Sequence, residues 1–106
     1  MKKTLTDKVL SMLGLCARAR KLVSGEFSTE KAVKTGKAWL VIVAGDASDN
    51  TKKLFQNKCE FYEVPCFIYS DKQSLGHSIG NEMRASLAVT DENFASELIK
   101  RLTDLQ

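Results

Sequence analysis

An uninterrupted apolar run, AWLVIVA, extends from Ala38 to Ala44 and is the strongest constraint on the fold. It is rich in Val and Ile, which favour strands. It is also far shorter than the 18 or so residues that a membrane span needs. No polar residue alternates with the apolar ones, which is typical of a strand buried on both faces. We therefore expect a central strand in a sheet that carries helices on both sides.

Short apolar segments and amphipathic segments alternate around this run. Three further strands are predicted, at 22–24, 66–69 and 85–89. Five helices are predicted: the first ends near Ala19, and the second runs from about Phe27 to Thr35. The third begins at Ser48 or Asp49, the fourth after Asp71 and the fifth after Thr90. This alternation predicts an α/β/α sandwich. The length of 106 residues fits one domain.

Polar residues before each predicted helix suggest its N-cap. Thr4 or Thr6 is expected to cap the first helix, Ser24 or Ser28 the second and Thr90 the last. Gly14 interrupts the apolar stripe of the first helix, where it permits close packing. Gly36 follows the second helix in the usual C′ position. The third helix is expected to pack inward through residues that include Tyr62.

The sequence contains few residues that suggest catalysis or metal binding. Cys16, Cys59 and Cys66 lack metal-site spacing, and we interpret them as small buried residues in a reducing cytoplasm. Phosphate-binding loops and hydrolase motifs are absent. We therefore predict a non-enzyme without a cofactor or metal, in the cytoplasm and without a secretory signal. A small enzyme or nucleotide-binding domain using Asp46 and Asp49 is the least favoured alternative, since turn and cap roles explain both residues.

The basic charge is concentrated at the N-terminal end of the chain. The net charge is +3, but residues 1–37 carry nine Lys or Arg against three Asp or Glu, whereas residues 38–106 carry seven against ten. Arg18, Arg20 and Lys21 gather after the first helix. Such a segment can attract a polyanion such as RNA. Stabilisation of the dipole of the first helix is an equally good explanation of these three charges.

Ser24 and Gly25 form a glycine elbow between a predicted strand and the second helix. Backbone N–H groups at such a helix start can bind phosphate or base acceptors. Lys31 and Lys34 follow on the next turns. Phe27 can stack on a base, or it can pack onto its own helix as a hydrophobic staple.

Several motifs resemble the kink-turn-binding ribosomal protein superfamily, the L7Ae/L30e group. They are SGEFSTEKAVKTGKAWLVIVAGDAS from Ser24 to Ser48 and LGHSIG from Leu75 to Gly80. The segments KLVSGE and DASDNTKK resemble in particular the bacterial YlxQ-type subgroup, in which KLVSGE and DASxNTKK are typical. The resemblance covers the chain from about Leu13 to the last helix. It implies a mixed four-stranded sheet and binding of structured RNA without catalysis.

The resemblance also implies where RNA is bound. In the family, a glycine followed by Thr-Asn-Glu and then a lysine enters the RNA. Gly25 and Lys31 match the glycine and lysine, while Glu26, Phe27 and Ser28 stand at the Thr-Asn-Glu positions. Lys72 matches a lysine before the LG motif, and Arg84 is the candidate basic residue of the loop before the last strand. The predicted RNA-binding residues are Gly25, Glu26, Phe27, Ser28, Lys31, Lys34, Arg18, Arg20, Lys21, Lys72 and Arg84.

We therefore expect a monomeric RNA-binding protein that acts on ribosomal or other structured RNA, within the ribosome or another ribonucleoprotein and away from membranes. The alternative is a protein-interaction or ribosome-assembly module on the same fold that has lost kink-turn specificity. The missing Asn and Glu of the family motif support that alternative.

Overall fold

The computed structural model describes residues 7–105, which form five helices and four strands in alternation. The predicted caps Thr4 and Thr6 lie outside the described residues. The elements are α1 (Lys8–Arg18), β1 (Leu22–Ser24), α2 (Glu26–Lys34), β2 (Leu40–Val43), α3 (Asp49–Tyr62), β3 (Cys66–Ile68), α4 (Lys72–Ser78), β4 (Ser86–Val89) and α5 (Glu92–Asp104).

The four strands form one mixed sheet in the order β1-β4-β2-β3. The last strand, β4, lies between β1 and β2 and is antiparallel to both, with Ala88 opposite both Val23 and Val41. The β2–β3 pair is parallel, with Ile42 opposite Phe67. The predicted α/β fold with a mixed four-stranded sheet is confirmed.

The helices form two groups around the sheet. One group is α2 and α3, which contact each other and between them all four strands. The other is α1, which packs against α4 and α5. All four residues of β2 and all four of β4 are buried, because helices cover both faces of these central strands. The apolar run after Trp39 thus forms the centre of the core, as its composition predicts.

Three helix starts differ from the sequence predictions. Asp7 is the N-cap of α1, where its side chain accepts a hydrogen bond from the N–H of Leu10. Gly25 rather than Ser24 or Ser28 is the N-cap of α2. Asp91 rather than Thr90 caps α5, because the Asp91 carboxylate lies 2.9 Å from the Phe94 nitrogen.

Two aromatic residues that the sequence pattern placed in the core lie at the surface. The central strand begins at Leu40, so Trp39 lies outside it and is exposed. Tyr62 ends α3 and is exposed as well, because the inward stripe of that helix ends with Phe55 and Cys59. Both exposed rings stand just before a strand begins.

Gly14 does allow two helices to approach closely. A Cβ placed on Gly14 would lie 2.8 Å from the Ser78 carbonyl oxygen, so α1 and α4 meet there with no room for a side chain. Gly36 has φ +76° and follows the C-cap of α2, as predicted. None of the helices within residues 7–105 combines the length and the apolar character needed to cross a membrane.

Candidate nucleic-acid interface

The C-terminal ends of β1, β2 and β3 and the N-terminal end of β4 meet at one edge of the sheet. The register shows this directly, because Ser24 lies opposite Leu87, and Val43 lies opposite both Ser86 and Ile68. The loops that follow β1, β2 and β3 and the loop that precedes β4 therefore lie together. We call this the elbow edge, after the elbow formed by Ser24 and Gly25.

Gly25 has a backbone conformation that the elbow requires. Its φ of 92° and ψ of 157° lie in a region that is essentially restricted to glycine. Its N–H donates to the Ser86 carbonyl oxygen at 2.9 Å, which fixes the elbow to the start of β4. Because glycine has no side chain, it provides no side-chain cap for α2. The N–H groups of the first turn, Glu26 to Ser28, are thus left without a capping side chain and can bind an external acceptor.

A buried polar contact supports the elbow from below. The Ser86 hydroxyl lies 3.5 Å from the Thr29 hydroxyl, and both residues are fully buried. The Thr29 N–H donates to the Gly25 carbonyl oxygen at 2.9 Å, which begins α2. Neither Thr29 nor Ser86 was among the residues predicted from the sequence. Their polarity within otherwise apolar segments was the available signal.

One face of α2 combines an aromatic ring with cations. Phe27, Lys31 and Lys34 are four and three residues apart, so they share a helix face. They line a shallow depression of about 230 Å³ together with Glu30 and Thr35. Phe27 is 78% exposed, so it does not pack as a hydrophobic staple and that alternative is wrong.

The two lysines of this face differ in their ion pairs. The Glu30 carboxylate lies 3.9 Å from the Lys34 Nζ and 3.7 Å from the Lys58 Nζ. Lys31 has no ion pair with any of residues 7–105. Lys31 is therefore the least compensated cation on this face, whereas the charge of Lys34 is shared with Glu30.

A chain of hydrogen bonds joins the remaining segments of the elbow edge. The Asp46 carboxylate accepts from the Lys72 N–H at 2.9 Å. The Lys72 carbonyl oxygen then accepts from the Arg84 N–H at 3.0 Å. The Arg84 Nε donates to the Ser24 Oγ at 2.9 Å. The structure thus brings Lys72 and Arg84 to the elbow.

Arg18 lines a groove of about 1120 Å³ between α1 and α4. Met83 also lines the groove, and its carbonyl oxygen accepts from the Arg84 guanidinium at 3.1 Å. The loop after α4 packs directly on that helix at Gly76, where any Cβ would overlap the Glu82 carbonyl oxygen. Arg18 therefore shares this groove with the loop that carries Arg84.

Arg20 and Lys21 lie at the opposite end of β1. The Lys21 carbonyl oxygen accepts from the Thr90 N–H at 2.8 Å, beyond the C-terminal end of β4. Four residues of extended chain place Lys21 roughly 13 Å from Gly25. The structure does not bring these two cations to the elbow with Gly25 and Lys31.

The residues of the alternative enzyme hypothesis have structural roles. Asp46 holds the start of α4, as described above. Asp49 is the first residue of α3, whose cap is Ser48. Among residues 7–105, no group of three or more His, Cys, Asp or Glu side chains is arranged to hold a metal ion.

The three cysteines are unpaired thiols. Cys16 and Cys59 are buried as predicted, and Cys66 is partly buried. Burial, together with the nearby Asp91 charge, raises the pKa of Cys16 to about 11. A hydrogen bond with Cys66, together with burial, raises the pKa of Cys59. Cys16 and Cys59 therefore remain protonated thiols at neutral pH.

Comparison with known proteins gives a consistent result. Residues 7–99 match the model of the ribosomal protein L7Ae/L30e/S12e/Gadd45 family. The chain is 46% identical over 91 residues to the RNA-binding protein YlxQ of Bacillus subtilis (strain 168), a match that covers 86% of this chain and 91% of that protein. It is 39% identical over 91 residues to the RNA-binding protein YlxQ of Enterococcus faecium, covering 86% of this chain and 87% of that protein.

Solved structures show the same architecture. A protein of unknown function from Bacillus halodurans C superposes with a TM-score of 0.88 at 41% identity, covering 91% of this chain and 97% of that chain. The 15.5kD RNA binding protein of Giardia lamblia superposes with a TM-score of 0.80, covering 100% of this chain and 93% of that chain. Its identity is 23%, so this second likeness bears on the fold alone.

Proposed function

The chain belongs to the ribosomal protein L7Ae/L30e/S12e/Gadd45 family, and on that basis we propose that it is a non-catalytic RNA-binding protein. Its relatives in Bacillus subtilis and Enterococcus faecium carry the name RNA-binding protein YlxQ. The partner that we propose is structured RNA, ribosomal or kink-turn-like, bound by a single domain that acts as a monomer in the cytoplasm.

The observation that carries this proposal is the uncapped start of α2 beside two groups of cations. Gly25 leaves the first-turn N–H groups without a capping side chain. A helix start of this kind binds anions through its backbone N–H groups and its dipole. In the proposed complex, the N–H groups of Glu26, Phe27 and Ser28 donate to phosphate or base acceptors.

The side chains around the elbow have separate roles in the proposed complex. Lys31 neutralises a phosphate on one side, and Lys34 adds a weaker contribution because Glu30 partly compensates it. On the other side, Arg84 and Lys72 approach the RNA, and the bond from Arg84 to Ser24 sets the position of its guanidinium. The exposed ring of Phe27 stacks on an unpaired base.

We propose further that the elbow retains a preference for kink-turn RNA. The family Asn and Glu are replaced by Phe27 and Ser28, so side-chain hydrogen bonds from the Glu position are reduced to one hydroxyl. The backbone N–H groups do not depend on these side chains. A preference for kinked over straight RNA therefore rests on backbone donors and on stacking by Phe27.

Binding to a fluorescent kink-turn RNA beside a plain duplex of equal length, across a salt series, tests this function. We expect tighter binding to the kink-turn that persists at about 200 mM salt, where non-specific phosphate contacts have weakened. Equal and steeply salt-dependent binding to both RNAs would reduce the proposal to general phosphate attraction. No binding to either RNA would refute it.

The second candidate function is a protein-interaction or ribosome-assembly module without kink-turn specificity. The replacement of the family Asn and Glu at Phe27 and Ser28 is the observation that favours it. Capture of a partner protein that survives nuclease treatment, together with equal affinity for kinked and straight RNA, would support this function over the first.

A further inference from the structure

Three of the four exposed aromatic side chains in residues 7–105 lie far from the elbow. Trp39, Phe61 and Tyr62 are 46%, 78% and 40% exposed, and the fourth is Phe27 on α2. Large exposed aromatic rings that gather in one region mark interaction sites more often than rings that are scattered singly.

The topology of the sheet brings these three rings to one edge. Trp39 directly precedes β2. Its backbone N–H donates to the carbonyl oxygen of Val89, at the end of β4, at 2.8 Å. Phe61 and Tyr62 end α3, shortly before β3 begins beside β2. Their ring centroids are 4.9 Å apart in an edge-to-face arrangement.

Basic residues lie at the same edge. Lys21 precedes β1, and its carbonyl oxygen accepts from the Thr90 N–H. Two strand spacings separate the backbones of Lys21 and Trp39, or roughly 10 Å. We call the edge formed by Lys21, Lys37, Trp39, Phe61 and Tyr62 the remote edge, because it lies at the other ends of the strands from Gly25.

Cations and acids are both exposed at the remote edge. Arg20, Lys21 and Lys37 are exposed, and none of them has an ion pair within the described part of the chain. Glu60, Glu63 and Glu92 are exposed acids that adjoin this edge, and the Asp91 carboxylate accepts from the Phe94 N–H as the cap of α5. The attraction for a phosphate is therefore local to Lys21 and Lys37, which have no ion pair among the described residues.

We propose that the remote edge is a second RNA-binding surface, which takes a single-stranded segment. Bases stack on Trp39 and on the Phe61–Tyr62 pair, and phosphates lie against Lys21 and Lys37. Aromatic platforms combined with cations are the means by which proteins bind single strands. A duplex keeps its bases stacked inside and cannot use the rings in this way. The inference rests on the proposed RNA-binding function and extends it to a surface that the elbow does not include.

Trp39 is the sole tryptophan of the chain, so its fluorescence reports on this edge alone. The full chain is titrated with an oligouridine of about ten nucleotides, within the usual site size of single-strand binders. We expect saturable quenching that weakens as salt rises. A Lys21→Ala, Lys37→Ala double variant should reduce the slope of log affinity against log salt by about 1.4, since each single-strand phosphate contact contributes about 0.7.

A matched control tests whether the effect belongs to this edge. Lys100→Ala removes an exposed lysine from α5 and should not change the affinity for oligouridine. Trp39→Ala should weaken binding of a labelled oligouridine about fivefold or more, whereas Trp39→Phe retains a ring and most of the affinity. Thermal melts verify that the Trp39 variants fold.

The outcomes also separate this inference from the proposed function. Quenching by oligouridine without a kink-turn preference would keep the remote edge and refute the kink-turn preference of the elbow. Kink-turn binding without quenching by oligouridine would do the reverse. An affinity and a salt slope that the double lysine variant leaves unchanged would overturn the remote edge. Self-association abolished by Trp39→Ala, without quenching, would assign this edge to a protein contact and overturn the inference as well.

Discussion

The guanidinium of Arg84 donates from its Nε to the Ser24 hydroxyl at 2.9 Å, across 60 residues of sequence. This bond ties the loop before β4 to the residue immediately before Gly25. The backbone N–H of Arg84 also donates to the Lys72 carbonyl oxygen. The two sides of the elbow edge are therefore held in a fixed relation before any RNA binds.

Removal of either partner of this bond should weaken RNA binding, and the two effects should not add. Arg84→Met removes the guanidinium, while Ser24→Ala removes only its acceptor and leaves Arg84 without a fixed position. In a double-mutant cycle on the affinity for kink-turn RNA, we expect a coupling of about 0.5–1.5 kcal/mol. A Ser24→Ala variant with unchanged affinity would mean that Arg84 contacts RNA without help from Ser24.

Substitution of Gly25 should lower both stability and RNA affinity. Its φ of 92° strains any residue with a Cβ, although no atom lies within 4 Å of the space that a Cβ would occupy. The cost is thus conformational, and we expect Gly25→Ala to lower the free energy of unfolding by about 1–3 kcal/mol. Urea denaturation measures this change.

Ser28→Ala provides the control for Gly25→Ala. Ser28 is exposed in the same first turn of α2, and its loss should change stability by less than about 0.5 kcal/mol. Equal stability of the Gly25→Ala variant and the wild type would show that the elbow adopts another backbone conformation in solution.

The sequence predicts the fold well because its strongest signals are local. The apolar run from Ala38 to Ala44 predicts a strand that is covered by helices on both faces. Glycines such as Gly36 mark the ends of helices. Caps were less predictable, since Thr90 and Asp91 are both good caps and geometry selects the second. Strand ends are equally hard to predict, because the apolar run includes Trp39 although β2 begins one residue later, at Leu40.

The candidate site was predictable where it is contiguous in sequence. Gly25, Phe27 and Lys31 belong to one elbow and one helix face, which periodicity describes. The distribution of charge along the chain carries no such information. Lys21 is only four residues before Gly25, but the extended strand β1 separates them, so the two residues lie at opposite ends of that strand. The partnership of Arg84 with Ser24 depends on strand order, which no local pattern encodes.

Stability should fall at alkaline pH because of Cys16. The thiol is fully buried and lies 3.2 Å from the Lys21 carbonyl oxygen, to which it donates. Burial raises its pKa from 9.0 to about 11, so the folded state holds the proton more tightly than the unfolded state. The contribution of Cys16 to stability is therefore complete below about pH 9 and is lost as pH rises toward about 11.

Comparison with a Cys16→Ala variant isolates this effect from the titration of lysines and tyrosines. The free energy of unfolding of the wild type should fall more than that of the variant between pH 9 and 11, by an amount on the order of 1–2 kcal/mol. Urea denaturation at several pH values measures the difference. Parallel curves for the two proteins would show that the Cys16 thiol ionises as readily when folded as when unfolded.

Lys31 should contribute one phosphate contact to RNA binding. It lies on the same face of α2 as Phe27, is exposed, and has no ion pair among the described residues. Lys31→Ala should therefore lower the affinity for duplex-containing RNA at low salt and reduce the slope of log affinity against log salt by about 0.9, the value for one contact in duplex DNA.

Lys100→Ala on α5 should leave both the affinity and the slope unchanged. Lys34→Ala should have an intermediate effect, because Glu30 already compensates part of its charge. An unchanged salt slope in Lys31→Ala, with lower affinity, would mean that Lys31 supports the elbow structurally and does not contact a phosphate. Equal slopes for the Lys31 and Lys100 variants at wild-type affinity would place the RNA elsewhere on the protein.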